Sequence, residues 1–147
     1  MSFIDDNGIE KERRIYSDVD KLFFINECIC HQIIFYKRKV FDICGFYNEK
    51  YRLTADYDLN LKVIMQHKFK TRYLNRVISK FTLGGQSNSH NDENLRILVQ
   101  SEKQEILNKY YKPYHFKMYK ILNKTFRSVA RNPKSRHLAG KILGFSL

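Results

Sequence analysis

The alternation of apolar and polar positions divides this chain into short elements. Residues 28–36 read Cys-Ile-Cys-His-Gln-Ile-Ile-Phe-Tyr, a β-branched and aromatic run that predicts a buried strand. Lys37 to Cys44 predicts a short helix, stopped by Gly45. Phe46 to Leu53 predicts an irregular aromatic loop. Thr54 then offers an N-cap, and Asp56 and Asp58 fall in the first turn, where carboxylates suit the helix dipole. Leu59, Leu61, Val63, Ile64 and Met65 continue that helix at mostly helical spacing, and His67-Lys68 closes it. Residues 70–83 alternate, which predicts strands at 72–74 and 77–83, ended by Gly84-Gly85. Residues 86–93 predict a polar loop. Asn94 to Tyr110 predicts a helix, Pro113 interrupts it, and residues 114–131 predict a second amphipathic helix, ended by Pro133. At the other end, residues 1–20 are polar, with an Asn7-Gly8 turn signal between short segments. Phe3 and Ile4 beside Met1 predict that the chain begins inside a strand, as a truncated protein does.

Charge changes this picture at one end only. The net charge is +12, yet no acidic residue follows Glu105, and ten Lys or Arg lie beyond it. The 17 basic and 15 acidic groups before that point leave a net of only +2. A nearly neutral body therefore carries a basic tail, which attracts phosphate on a lipid surface or on nucleic acid. No nucleic-acid-binding motif accompanies it, so no nucleic-acid partner is expected. The three cysteines, Cys28, Cys30 and Cys44, lack the second pair that a zinc site needs, and buried free thiols are expected. No run of about 18 apolar residues is present to span a membrane. The first twelve residues do not form a signal peptide, so a cytoplasmic address is expected.

Three stretches in fixed order carry more specific information. The first is Cys30-His31-Gln32 with Phe35, Lys37 and Phe41. The second is Gly45-Phe46-Tyr47-Asn48-Glu49-Lys50-Tyr51, leading into Ala55-Asp56-Tyr57-Asp58-Leu59. The third is Val77-Ile78-Ser79-Lys80-Phe81-Thr82-Leu83-Gly84-Gly85-Gln86-Ser87. Together they resemble the back half of bacterial family 2 glycosyltransferases that build surface polysaccharides, over about residues 28–87. The resemblance implies an α/β fold: a partial GT-A, Rossmann-like layer structure, with C-terminal amphipathic helices added. It implies residues 1–100 as the back half of the transferase domain and 101–147 as a basic helical tail. It also implies a nucleotide-sugar donor, a glycan or lipid-linked acceptor, and inversion at the anomeric carbon. A divalent Mg or Mn is expected for the family, but its Asp-x-Asp site is not found upstream of residue 28. A separate N-terminal half is therefore an expected partner.

The resemblance places the family's catalytic base at Asp56, with Ala55 where a Glu is usual. A carboxylate there takes the proton of the attacking acceptor hydroxyl. The other reading of Asp56 is a carboxylate that only stabilises a helix end. Asp58, two residues on, points away from Asp56. It is expected to pair with Arg38 or Lys62, or to contribute to substrate binding. His31 and Gln32 are either satisfied core polar groups or the lining of the substrate cleft. His90, in the loop after Gly84-Gly85, is a candidate to approach a metal or phosphate, or is simply solvated. The tail, residues 109–141, interleaves aromatics with cations. It reads as a helix with a solvated basic face, or as a helix lying on the anionic inner face of the membrane. The alternatives to a transferase are a non-catalytic docking module or remnant and a basic nucleic-acid-binding protein.

Overall fold

The computed structural model describes residues 2–4, 10–13, 19, 23–82, 92–117 and 119. Strands β1 (Ser2–Ile4) and β2 (Glu10–Arg13) form an antiparallel pair, with Ser2 opposite Arg13 and an irregularity in register between Phe3 and Ile4. β3 (Lys80–Thr82) joins β1 in parallel, giving the order β2-β1-β3. Between these strands lie α1 (Phe23–Asn26), a 3-10 turn (His31–Ile33), α2 (Arg38–Cys44) and α3 (Ala55–Leu61). α4 (Glu93–Tyr110) follows, and residues 113–117 begin α5.

α3 is the centre of the core. All five residues from Tyr57 to Leu61 are buried, so this helix is enclosed beyond its first two residues. Phe24, Val40 and Cys44 pack around it from one direction, and Ile106, Leu107 and Tyr111 of α4 and its end complete the cluster. Two polar side chains on α3 are buried with it and both are satisfied. Asn60 accepts a 2.5 Å hydrogen bond from the Tyr36 hydroxyl and donates to the Ile29 carbonyl at 3.3 Å. Asp58 is described below. α3 runs on into one wide π-helical turn (Lys62–Gln66), in which His67 N–H reaches back to the Lys62 carbonyl. The Lys62 ammonium crosses to the Cys44 carbonyl at the end of α2. Gly45 follows with φ +75°, a left-handed conformation that only glycine adopts cheaply, and it lets the chain turn off α2 as the sequence predicts.

Two predicted strands are not formed. Residues 28–36 run as extended chain broken by the 3-10 turn, in which Ile33 N–H bonds the Cys30 carbonyl and Ile34 N–H bonds that of His31. A strand needs a neighbour to satisfy its backbone. Among the described residues this segment has none, and it uses local bonds and the Asn60 side chain instead. Residues 71–78 are exposed chain without a ladder, and only Lys80–Thr82 of the predicted 77–83 strand pairs. Residue 100, the boundary expected between the domain and its tail, falls within α4, whose Ile106 and Leu107 join the core cluster. Gly84-Gly85, His90, residues 86–91 of the predicted polar loop and the tail beyond 119 lie outside the described residues, and Glu93 already belongs to α4. Pro113 is the first residue of α5, where its missing N–H costs nothing.

Candidate functional site

Asp56 stands in the first turn of α3, on the side that α4 leaves open. Its Oδ1 accepts the Tyr57 backbone N–H at 2.8 Å, which satisfies one of the unpaired donors of the helix start. Its Oδ2 faces His31 Nδ1 at 3.4 Å, a long contact at the edge of hydrogen-bonding range. The Asp56 side chain is 23% exposed and that of His31 57% exposed. One carboxylate oxygen is thus held by the backbone, and the other lies beside an exposed imidazole. The arrangement orients a partly exposed carboxylate without tying its second oxygen into a short hydrogen bond.

The charge of this carboxylate acts on two aromatic hydroxyls and a thiol. Burial first, then the Tyr47 phenolate that forms only in alkali and the Asp56 carboxylate, push the Tyr36 hydroxyl well above its ordinary range. Burial, then Asp56, push Tyr47 up as well. Cys28 is pushed up to about 12, first by burial and next by the Asp56 carboxylate. All three therefore stay protonated at neutral pH and act as neutral walls or donors, not nucleophiles. Phe41 links Tyr36 (ring centroids 5.4 Å apart) to Phe46, which stacks on it at 5.5 Å with rings 18° from parallel.

The sequence candidates divide at this point. His31 and Asp56 come together. His31 is exposed and does not end a buried strand. Gln32 is next to it and also exposed. Asp58 is turned the other way, 4% exposed, and its Oδ1 takes the Lys109 ammonium at 3.0 Å and the Tyr110 hydroxyl at 3.1 Å. Its partner is therefore Lys109, not Arg38 or Lys62, because Lys62 is drawn to the carbonyl at the end of α2. Among the described residues no group of three His, Cys, Asp or Glu side chains could hold a metal ion. No described helix is long and apolar enough to cross a membrane.

One important residue is not evident from motifs. Glu102 of α4 is buried, and its carboxylate receives four hydrogen bonds. Arg52 N–H reaches Oε1 at 2.8 Å, while Leu53 N–H (3.1 Å), Thr54 N–H (3.1 Å) and Thr54 Oγ1 (2.8 Å) all reach Oε2. Thr54 is the N-cap of α3 by position, but its hydroxyl donates to Glu102 and does not cap the helix. The readable signal is a carboxylate four residues before Ile106 and four after Leu98, on the stripe that should be apolar.

Comparison with known proteins gives a partial match. No family model and no solved structure match the chain. It is 41% identical over 73 residues to a "PGL/p-HBAD biosynthesis glycosyltransferase" of Mycobacterium bovis (strain BCG / Pasteur 1173P2). The same identity and length hold for a protein so named in Mycobacterium tuberculosis (strain ATCC 25177 / H37Ra). The matched stretch is 49% of this chain and only 28% of those relatives' length. Over about half of its length, then, this chain is similar to proteins named as glycosyltransferases.

Proposed function

We propose that this chain is the acceptor side of an inverting, nucleotide-sugar-dependent glycosyltransferase with a GT-A, family 2 type of fold, and that Asp56 is its base. The observation that carries the reading is the division of labour within one carboxylate: Oδ1 is held by Tyr57 N–H, and Oδ2 makes only a long 3.4 Å contact with His31. The acceptor hydroxyl sits at Oδ2. As its oxygen attacks the anomeric carbon, its proton passes to Asp56 and the bond to the nucleoside diphosphate breaks, so the centre inverts. His31 and Gln32, on the exposed 3-10 turn, flank the acceptor. The described residues do not fit a divalent cation, since Asp58 is committed to Lys109 and Tyr110. This part of the chain supplies the base, and a separate nucleotide-binding half supplies the donor. A lipid-linked acceptor at the inner face of the membrane fits the exposed cations Lys112 and Lys117 at the start of the tail.

The test joins the chain to the donor half of a relative and measures nucleotide-sugar-dependent transfer to lipid-linked acceptors. Asp56→Asn is expected to lower kcat by about 10²–10⁴-fold, with circular dichroism unchanged. Full activity in that variant removes Asp56 from the mechanism.

A further inference from the structure

α4 touches the chain on both sides of Asp56. Before it, Glu102 gathers three successive N–H groups and the Thr54 hydroxyl. Just before that segment, Tyr51 donates its hydroxyl to Glu105 at 2.9 Å and Lys50 its ammonium at 2.5 Å. Immediately after it, the Lys103 ammonium lies 5.5 Å from the Tyr57 ring centroid, and Lys109 reaches Asp58. Residues 102, 103, 105 and 109 lie on neighbouring turns of one helix, about 1.5 Å of rise per residue. The loop that delivers α3 therefore has its path set from α4.

We propose that Glu102 is a positioning residue for Asp56, acting through Thr54. Thr54 carbonyl accepts the first backbone bond of α3, from Asp58 N–H at 3.1 Å. Wherever Glu102 holds Thr54, α3 begins, and Asp56 stands two residues on. The last three residues of the loop are held by a carboxylate that is itself buried and receives all four of their donors. Charge matters as well as shape. Oε2 meets three donors, so the amide of Glu102→Gln can satisfy that cluster or the Arg52 N–H, but not both. This inference rests on the base reading only for its consequence. The geometric link between Glu102 and Asp56 is independent of any transfer reaction.

The experiment follows two signatures of Asp56 by NMR in the full 147-residue chain. One is the set of nuclear Overhauser contacts between the His31 ring and the Asp56 β-protons. The other is hydrogen exchange at the Tyr57 amide, calibrated by Asp56→Ala, which removes its acceptor. In Glu102→Ala the Overhauser contacts are expected to vanish. The Tyr57 amide is expected to exchange within about twofold of the Asp56→Ala rate, and Glu102→Gln to lie between. Val40→Ala, which opens a cavity under α2, is the control for simple destabilisation and is expected to leave both signatures in place. If Glu102→Ala does not fold, Thr54→Val decides, since it deletes only the hydroxyl arm and is expected to weaken both signatures. Unchanged signatures in a folded Glu102→Ala, or in Thr54→Val, overturn the proposal, as does equal loss in Val40→Ala. An active Asp56→Asn transferase sinks the base reading and leaves this link standing.

Discussion

The pair of Asp58 and Lys109 offers the sharpest energetic test of how α4 is attached to α3. Asp58 is 4% exposed and Lys109 is 44% exposed, with 3.0 Å between their charged atoms. Removing the cation leaves a buried carboxylate with the Tyr110 hydroxyl at 3.1 Å as its remaining donor on α4. Breaking a fully buried pair costs about 3–5 kcal/mol, but a half-exposed ammonium is screened by water, so Lys109→Met is expected to cost about 2 kcal/mol. Asp58→Asn keeps an acceptor for both donors and loses the charge on it, for about 1.5 kcal/mol. The double variant no longer strands a charge, and about 2.5 kcal/mol is expected, which leaves a coupling of about 1 kcal/mol. Urea unfolding followed by circular dichroism measures all four corners of the cycle. Tyrosine fluorescence is a second probe, since the chain has 10 Tyr and no Trp. Additive costs, with a coupling below about 0.3 kcal/mol, refute the claim that this pair holds the two helices together.

Stability should fall at both ends of the pH scale for separate reasons. Burial alone would raise the Glu102 carboxyl, but the N–H groups of Arg52, Leu53 and Thr54 and the Thr54 hydroxyl outweigh it and hold it below its ordinary value. The Lys50 ammonium and then the Tyr51 hydroxyl do the same for Glu105. Groups depressed on folding stabilise the chain above their unfolded value of about 4.3, and that contribution is lost as pH falls through the folded value. Thermal unfolding from pH 7 to 3 should show the loss, and Glu102→Gln should flatten it. In alkali, burial pushes Tyr36, Tyr57 and Tyr110 far up, and burial and Glu105 push Tyr51 up to about 12. These raised groups contribute stability below their unfolded value of about 10 that is lost at higher pH, so their ionisation should appear only with unfolding. Absorbance at the phenolate band against circular dichroism checks this, and ionisation that precedes unfolding counts against it. Cys28, at about 12, should resist iodoacetamide at pH 8 in the folded chain, and Asp56→Asn should speed its alkylation; equal rates mean that the carboxylate does not face the thiol.

What the sequence reveals and what it hides follow from the range of the interactions. The helix over residues 38–44, its stop at Gly45 and the helix ending at Tyr110 are all legible, because each depends on neighbours within a turn. The strands expected at 28–36 and 72–74 misread β-propensity as a strand, although β-rich residues need a paired backbone to become one. Asp56 is legible as a residue at a helix start, and the ordered motifs select it. That one of its oxygens is bound to Tyr57 N–H is not legible, since the same spacing fits a carboxylate that caps and one that does not.

Glu102 is the more instructive case. Its partners Arg52, Leu53 and Thr54 are about fifty residues away, and three of its four bonds go to backbone N–H groups that have no identity in a sequence. Thr54 looks like an ordinary helix cap, and its hydroxyl is in fact spent on another helix. A buried carboxylate without those donors would cost several kcal/mol, so its presence on an apolar stripe already implies that donors are waiting. A charged residue on the buried face of a helix is thus a statement about some distant loop, and here that loop is the one that begins the helix of Asp56.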